Sequence, residues 1–415
     1  MHHFTYKSER LFCEDAAVEH IAAAVGTPFY LYSRATLERH FTVFDSAFAD
    51  LDRLVCFSAK ANTSLALLKL FAGLGSGLDI VSGGELFRGL TAGIPPERVV
   101  YSGVGKRPDE IDLALEKGIL MFNVESLQEL EVIQQRAAAL GRKAPVGIRV
   151  NPDVDPRTHP YISTGLKQNK FGISAETALE AYRRAQAMDH ITVKGIDCHI
   201  GSQIAETAPF EDALENLLGL IARLKTAGIA IDCLDVGGGL GITYSDEKPP
   251  APDEYARAIS RRLKGTGLKL ILEPGRVIVG NAGILVTKVL YRKTSGDKTF
   301  VIADAGMNDL IRPALYNAHH VIQPVVNKAG SPRIRADVVG PICESSDFLA
   351  LDREMADVAG GDLLAVMSAG AYGYVMANNY CSRLKPAEVM VDGDRFTVIR
   401  QRQTYEDLIA GETLE

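Results

Sequence analysis

A lysine closes an otherwise apolar run, Phe57-Ser58-Ala59-Lys60-Ala61-Asn62. An amine held at such a site loses solvation, its pKa falls, and it can form a Schiff base with an aldehyde. A strand-end lysine can equally snorkel to solvent. Three further stretches carry chemistry of a compatible kind. Cys198-His199-Ile200-Gly201-Ser202 offers a flat imidazole able to stack on a planar ring, or an ordinary buried histidine. Asp235-Val236-Gly237-Gly238-Gly239-Leu240-Gly241 is a strand followed by bare backbone, whose N–H groups can surround a phosphate. It does not satisfy the Gly-x-Gly-x-x-Gly spacing of a dinucleotide site. Glu273-Pro274-Gly275-Arg276 sets a carboxylate and a guanidinium on a rigid turn, and the bland reading is a structural ion pair. A Glu beside a pyridine nitrogen would raise that nitrogen's pKa and keep it protonated. An amine, a phosphate cradle, a ring-nitrogen partner and a flat side chain together describe a pyridoxal phosphate site.

These residues need elements to position them, and the patterning supplies eight short β-rich runs: 55–60, 78–82, 99–103, 121–126, 146–151, 193–202, 233–239 and 268–276. Between them lie segments with apolar residues at helical spacing, among them 108–118, 126–140, 175–188 and 209–227. This alternation over about 220 residues predicts a (β/α)8 TIM-type barrel, with a doubly wound open sheet as the structural rival. Polar or glycine residues gather at the C-terminal ends of the predicted strands, where barrel active sites are built. They include Lys60, Asp79, Asn123, Arg149, His199, Ser202, Gly237 to Gly239, Glu273 and Arg276. After Arg276, runs at 277–293, 299–306, 333–341, 362–370 and 387–401 predict a C-terminal antiparallel β domain. The strand-like Phe29-Tyr30-Leu31-Tyr32 is expected to pair with it. The expected domains are 34–276 for the barrel, and 1–33 with 277–415 for the β domain. The connection Asn151 to Lys170 is too long for an idle loop.

Composition narrows the class. The chain has 415 residues, enough for two to three domains at roughly 150 residues each. Its net charge of −7 argues against nucleic-acid binding. The most apolar stretch, Val277 to Leu290, contains Asn281 and Lys288 and falls short of a membrane span, and no signal peptide is readable. Six scattered cysteines without a C-x-x-C pair indicate reduced thiols in a cytoplasmic enzyme. The nine histidines show no ligand spacing, so no metal is expected.

In this order, Phe57 to Asn62, His199-Ile200-Gly201-Ser202, Gly237-Gly238-Gly239 and Glu273-Pro274-Gly275-Arg276 closely resemble the alanine-racemase-like barrel family of pyridoxal 5'-phosphate-dependent basic amino acid decarboxylases. The resemblance extends over nearly the whole chain. It implies Lys60 as the Schiff-base lysine, His199 as the ring-stacking histidine and Glu273 as the partner of the pyridine nitrogen. Gly239, Ser202, Gly275, Arg276 and Tyr372 are implied as neighbours of the phosphate, with Asp79 and Gly238 among the cofactor-binding residues.

Specificity must come from groups that reach the far end of the substrate. A second carboxylate calls for a bidentate arginine. Gly306-Met307-Asn308-Asp309-Leu310-Ile311-Arg312-Pro313-Ala314-Leu315-Tyr316 resembles the segment of those family members that act on meso-diaminopimelate and yield L-lysine. The resemblance makes Arg312, Tyr316, Glu344 and Tyr372 substrate-binding, with Arg276 assisting. In Pro341-Ile342-Cys343-Glu344-Ser345-Ser346-Asp347, the cysteine can supply a proton to a carbanion and the carboxylate can bind the distal ammonium. The family further implies that Cys343 and Glu344 complete the site of a neighbouring subunit in a homodimer. Closure over the substrate falls by resemblance to Thr158–Gly165 and Lys170-Phe171-Gly172. An amino acid racemase, a decarboxylase for ornithine, arginine or carboxynorspermidine, and a non-catalytic binder are the rival readings. Glu273 argues against the first, Arg312 with Glu344 against ornithine and arginine, and Lys60 against the last.

Overall fold

The computed structural model describes residues 2–155, 170–328 and 330–414. The chain forms two compact units, Phe41–Ile242 with Lys248–Val277, and Met1–His40 with Thr243–Glu247 and Ile278–Glu415. The first is a closed parallel barrel. Its strands Arg53–Ser58, Gly77–Ile80, Val99–Tyr101, Met121–Val124, Ala144–Asn151, Ile191–Asp197, Cys233–Asp235 and Lys269–Leu272 pair in sequence order, and the last pairs with the first. A two-residue strand, Ile173–Ser174, adds to the fifth. All eight expected strands are present, and the open-sheet alternative is excluded by closure.

The barrel interior is packed by inward-facing side chains, as barrel geometry requires. Leu54, Cys56, Val100, Met121, Cys233 and Ile271 form one buried cluster. Met121 reaches across the centre: a Cβ at Gly147 would lie 2.9 Å from its Sδ, and one at Gly195 2.6 Å. The helices Pro108–Lys117, Leu127–Ala139, Ala175–Gln186 and Ala208–Thr226 match the predicted segments to within two residues. Serines cap the helices that follow three loops. The Ser82, Ser126 and Ser174 hydroxyls accept the backbone N–H of Glu85, Glu129 and Thr177 respectively, each three residues on, at 3.1–3.3 Å.

The strands end earlier than expected on the side that carries function. The first stops at Ser58, and Lys60 stands in the single 3-10 turn Ala59–Ala61. The sixth stops two residues before His199, the seventh before Gly237 and the eighth before Glu273. Leaving the ladder releases the backbone to serve side chains: Gly237 N–H donates to Asp235 Oδ1 at 2.9 Å.

In the second unit, the long strand Gly283–Ser295 pairs antiparallel with Phe29–Ser33, Lys298–Ala303 and Leu363–Val366. The N-terminal strand therefore joins this sheet as expected. Two pairings are parallel, Lys298–Ala303 with Arg333–Val339 and Ala387–Asp392 with Phe29–Ser33, so the sheet is antiparallel-rich rather than purely antiparallel. The expected strand start at 277 is wrong, because Arg276–Val279 is a helical turn followed by the 3-10 turn Gly280–Ala282. The strand Phe348–Ala356 escaped the pattern because its second half is charged: it ends one sheet path, and Leu351 to Glu354 are not fully buried. Phe29, Leu31, Ile284, Val286, Val389 and Val391 anchor the core of this unit.

Candidate active site

The C-terminal end of the barrel gathers a polar floor. Lys60 Nζ donates to Asp79 Oδ2 at 2.5 Å, and Asp79, fully buried, also accepts from the Ser58 hydroxyl. The expected loss of solvation is thus met by a carboxylate standing in for water. Asp197, Asp235 and Glu273 bring carboxylate oxygens within 4.8 Å of one another, all buried. By spacing alone these three could hold a metal ion. Burial raises all three carboxyls, Asp235 to about 6, and Asp235, Asp79 and Asp197 push Glu273 higher still while Lys60 opposes them. Asn123 Nδ2 donates to Asp235 Oδ2 at 3.2 Å and to Ser102 Oγ at 3.1 Å, and the Ser102 hydroxyl donates to Glu273 Oε1 at 3.3 Å.

His199 is neutral. Burial, with Arg149 and Lys60 nearby, lowers its pKa well below the usual imidazole value. Gly238 N–H donates to its Nδ1 at 3.1 Å, which leaves the ring proton on Nε2. The three glycines are demanded by close packing: a Cβ at Gly238 would meet Glu273 O at 2.1 Å, and one at Gly239, where φ is +110°, Gly201 O at 2.4 Å. Arg276 donates to Ser202 Oγ at 2.9 Å, placing a guanidinium and a hydroxyl together. Gly275 lets the turn approach Ser58 and Ala61, whose Cβ atoms would stand 3.0 Å from an added Cβ.

A second network ties the loops together. Glu125 accepts from Arg149 Nη1 at 2.8 Å, from Gly103 N–H at 2.9 Å and from Gly172 N–H at 2.8 Å. The Arg149 guanidinium lies 4.9 Å from the Phe171 ring centre. Burial works against the charge on Arg149, but Glu125, Asp197 and Glu273 hold its pKa above the usual arginine value. Thr158–Gly165 lies outside the described residues, whereas Lys170-Phe171-Gly172 is anchored here.

The second unit holds the other expected residues. Arg312, buried, opens the short helix Arg312–Tyr316, whose five residues put Arg312 and half-buried Tyr316 one turn apart. Cys343 and Glu344 are exposed on the loop Pro341–Asp347, and the Tyr380 hydroxyl lies 3.4 Å from Glu344 Oε2. Asp347 fixes this loop to the Gly306 segment by accepting N–H groups of Met307 and Ile342, each at 2.6 Å. Added Cβ atoms at Gly306 and Gly340 would both collide with its carboxylate. Tyr372 has a φ of +55°, a conformation that costs a non-glycine residue energy and clusters at functional positions.

The family of pyridoxal-dependent decarboxylases, pyridoxal binding domain, matches residues 34–280. The chain is 55% identical over 411 residues to a diaminopimelate decarboxylase of Pseudomonas aeruginosa, covering 99% of each. It is 51% identical over 414 residues to the one of Haemophilus influenzae, covering all of both. The chain belongs to the diaminopimelate decarboxylases. A solved structure of that enzyme from Helicobacter pylori, complexed with L-lysine, superposes with a TM-score of 0.91 at 43% identity over 95% of this chain and 98% of that one.

The cofactor of this family is pyridoxal 5'-phosphate, and the barrel's donor set fits it. Lys60 offers an amine for the aldehyde, Glu273 a carboxyl for the ring nitrogen, neutral His199 a flat face, and Arg276 with Ser202 a cation and a hydroxyl for phosphate. Two of the glycine N–H groups expected to cradle phosphate, those of Gly237 and Gly238, instead donate to Asp235 and His199. Sequence reasoning about the diaminopimelate decarboxylase motifs passed over Ser102, Glu125, Asp235 and His320. Asp235 closes the seventh barrel strand, and Ser102 and Glu125 directly follow the third and fourth, so these three carried the strand-end signal. His320 carried none.

Proposed function

We propose that this chain decarboxylates meso-2,6-diaminopimelate to L-lysine with pyridoxal 5'-phosphate, the closing reaction of lysine formation. The observation that carries the reading is the match to diaminopimelate decarboxylases across the full chain, with Arg312 and Glu344 present in the motifs where a distal amino acid centre needs a cation and an anion. The bound cofactor supplies a protonated ring that accepts the electron pair left when carbon dioxide departs. Lys60 would hold the cofactor's aldehyde through its amine, which Asp79 keeps in place. Glu273 would keep the proton at the ring nitrogen, while Arg276, Ser202, Gly239, Gly275 and Tyr372 would bind phosphate. Arg312, with Tyr316, receives the distal carboxylate and Glu344 the distal ammonium.

Cys343 returns a proton to the carbon that lost its carboxylate. Its exposure, and that of Glu344, supports their action in the site of a second copy, in a homodimer with shared sites. No helix among the described residues is long and apolar enough to cross a membrane, and all six cysteines are free, which supports a cytoplasmic enzyme. The test is carbon dioxide release by the loaded protein offered meso-diaminopimelate, ornithine, arginine and lysine separately. Release with diaminopimelate alone is expected. Release only with another amine would overturn the specificity, and none despite bound cofactor would overturn the reaction.

A further inference from the structure

His320 is fully buried, and its Nδ1 lies 2.8 Å from the carbonyl oxygen of Met367. A carbonyl only accepts, so Nδ1 carries the hydrogen and the neutral ring presents a lone pair at Nε2. Arg312 Nε–H donates to that lone pair at 3.3 Å. The other imidazole tautomer would set N–H against N–H and lose both bonds. A second group fixes the guanidinium plane, since Tyr244 lies with its ring centre 5.0 Å from Arg312 Cζ and packs edge-on to His320 at 5.3 Å and 80°. His320 is itself tethered through its carbonyl, which accepts from Arg353 Nη1 at 2.7 Å. Tyr244 is likewise buried. A surface arginine needs no such framing. A histidine held in one tautomer and a ring beside the guanidinium constrain a long, flexible side chain, fixing its Nε edge on His320 and its plane against Tyr244, and a guanidinium so oriented suits bidentate recognition of a carboxylate.

We propose that His320 and Tyr244 are positioning residues that set the orientation of Arg312 and thereby the enzyme's selection for a substrate bearing a distal carboxylate. This rests on the role given to Arg312 above. Pre-organising the fork removes the rotamer freedom that binding would otherwise have to freeze, so the effect falls on substrate affinity rather than on the bond-breaking step.

The experiment is steady-state kinetics of the cofactor-loaded enzyme with meso-diaminopimelate, comparing two substitutions with opposite predicted effects. In His320→Asn the amide reproduces the donor to Met367 but cannot reach Arg312. In His320→Gln the longer side chain brings its carbonyl to where Nε2 accepted from Arg312. KM is expected to rise about ten-fold in His320→Asn with kcat changed little, and to stay near wild type in His320→Gln. A merely structural histidine predicts the reverse order or equal losses, and either result overturns the proposal. If neither variant folds, Tyr244→Phe and Tyr244→Leu repeat the test from the other face. Phe keeps a ring beneath the guanidinium and should hold KM, whereas Leu should raise it several-fold; equal KM values would again overturn the proposal. Arg312→Lys separates the two levels. If that change leaves KM for meso-diaminopimelate untouched, the assignment of Arg312 fails, whatever His320 does. If it raises KM while His320→Asn does not, only the positioning role fails.

Discussion

Lys60 Nζ stands 2.5 Å from Asp79 Oδ2, a part-buried ion pair built between the turn after the first barrel strand and the second strand. Asp79 is wholly buried while 33% of the Lys60 side chain is exposed, so the carboxylate has more to lose from separation. Lys60→Met keeps the length of the side chain and removes the amine. Turnover should fall by about 10⁴-fold or more, and the absorbance of covalently held cofactor should vanish. The cofactor-free variant should also lose about 2 kcal/mol of stability, because Asp79 is left charged with the Ser58 hydroxyl but no cation beside it; the loss stays below the roughly 3–5 kcal/mol of a fully buried pair. Adding Asp79→Asn should recover most of that loss without recovering turnover. A denaturant double-mutant cycle showing additive losses would refute the pairing.

Much of this arrangement could be read from the residues because the barrel repeats one rule. Each apolar strand such as Val55 to Ser58 or Leu270 to Leu272 must be buried on both faces, and each must end where a polar side chain is wanted. Lys60 and Glu273 stand out as charges directly after such runs. What could not be read is which polar groups meet. Ser102 reaches Glu273 across 171 residues of sequence, and no local pattern encodes that contact. The same limit hid His320, since the backbone around it follows no strand or helix and its partner Met367 lies 47 residues on. The glycines were legible as glycines, but their part in packing was not. Their lack of a side chain serves backbone packing against Glu273 and Gly201 as well as any phosphate.

Glu273 must be ionised to hold a proton at the ring nitrogen, yet burial and three neighbouring acids push its carboxyl well above the usual carboxylate range. The Ser102 hydroxyl opposes them. Asn123 can only donate through Nδ2, so Ser102 accepts from it and must aim its own hydrogen at Glu273 Oε1. Ser102→Ala should weaken cofactor binding about ten-fold at neutral pH and shift the acid limb of binding to higher pH. Ser102→Thr should retain the wild-type profile. Titrating cofactor into the stripped protein by absorbance checks this, and superimposable profiles for the Ala variant and the wild type would exclude the role.

The same cluster makes the stripped protein pH-sensitive. Asp235 ionises near 3.8 in an unfolded chain and at about 6 in the fold, so between those values the native state carries a proton that the unfolded state has lost. Stability therefore falls as pH rises through that window, by an amount on the order of a few kcal/mol, with Asp197 and Glu273 extending the fall upward. Asp235→Asn cannot ionise and should flatten the decline between about pH 4 and 6. Thermal melts of the two cofactor-free proteins across pH test this directly, and parallel curves would show that Asp235 is not the titrating group.

Cys343 and Glu344 are exposed on a loop held rigid by Asp347, the arrangement expected of groups that serve a second copy of the chain. Removing a positioned proton donor costs about 10² to 10⁴-fold, so Cys343→Ala should lower turnover within that range while leaving cofactor absorbance intact. The decisive measurement mixes this variant with Lys60→Ala after dissociation and reassociation. If each site takes its lysine from one subunit and its cysteine from the other, half of the dimers are mixed and each has one complete site, so about a quarter of wild-type activity should return. If lysine and cysteine came from the same subunit, mixing would restore nothing, and the shared-site dimer would be abandoned even if Cys343→Ala alone behaved as expected.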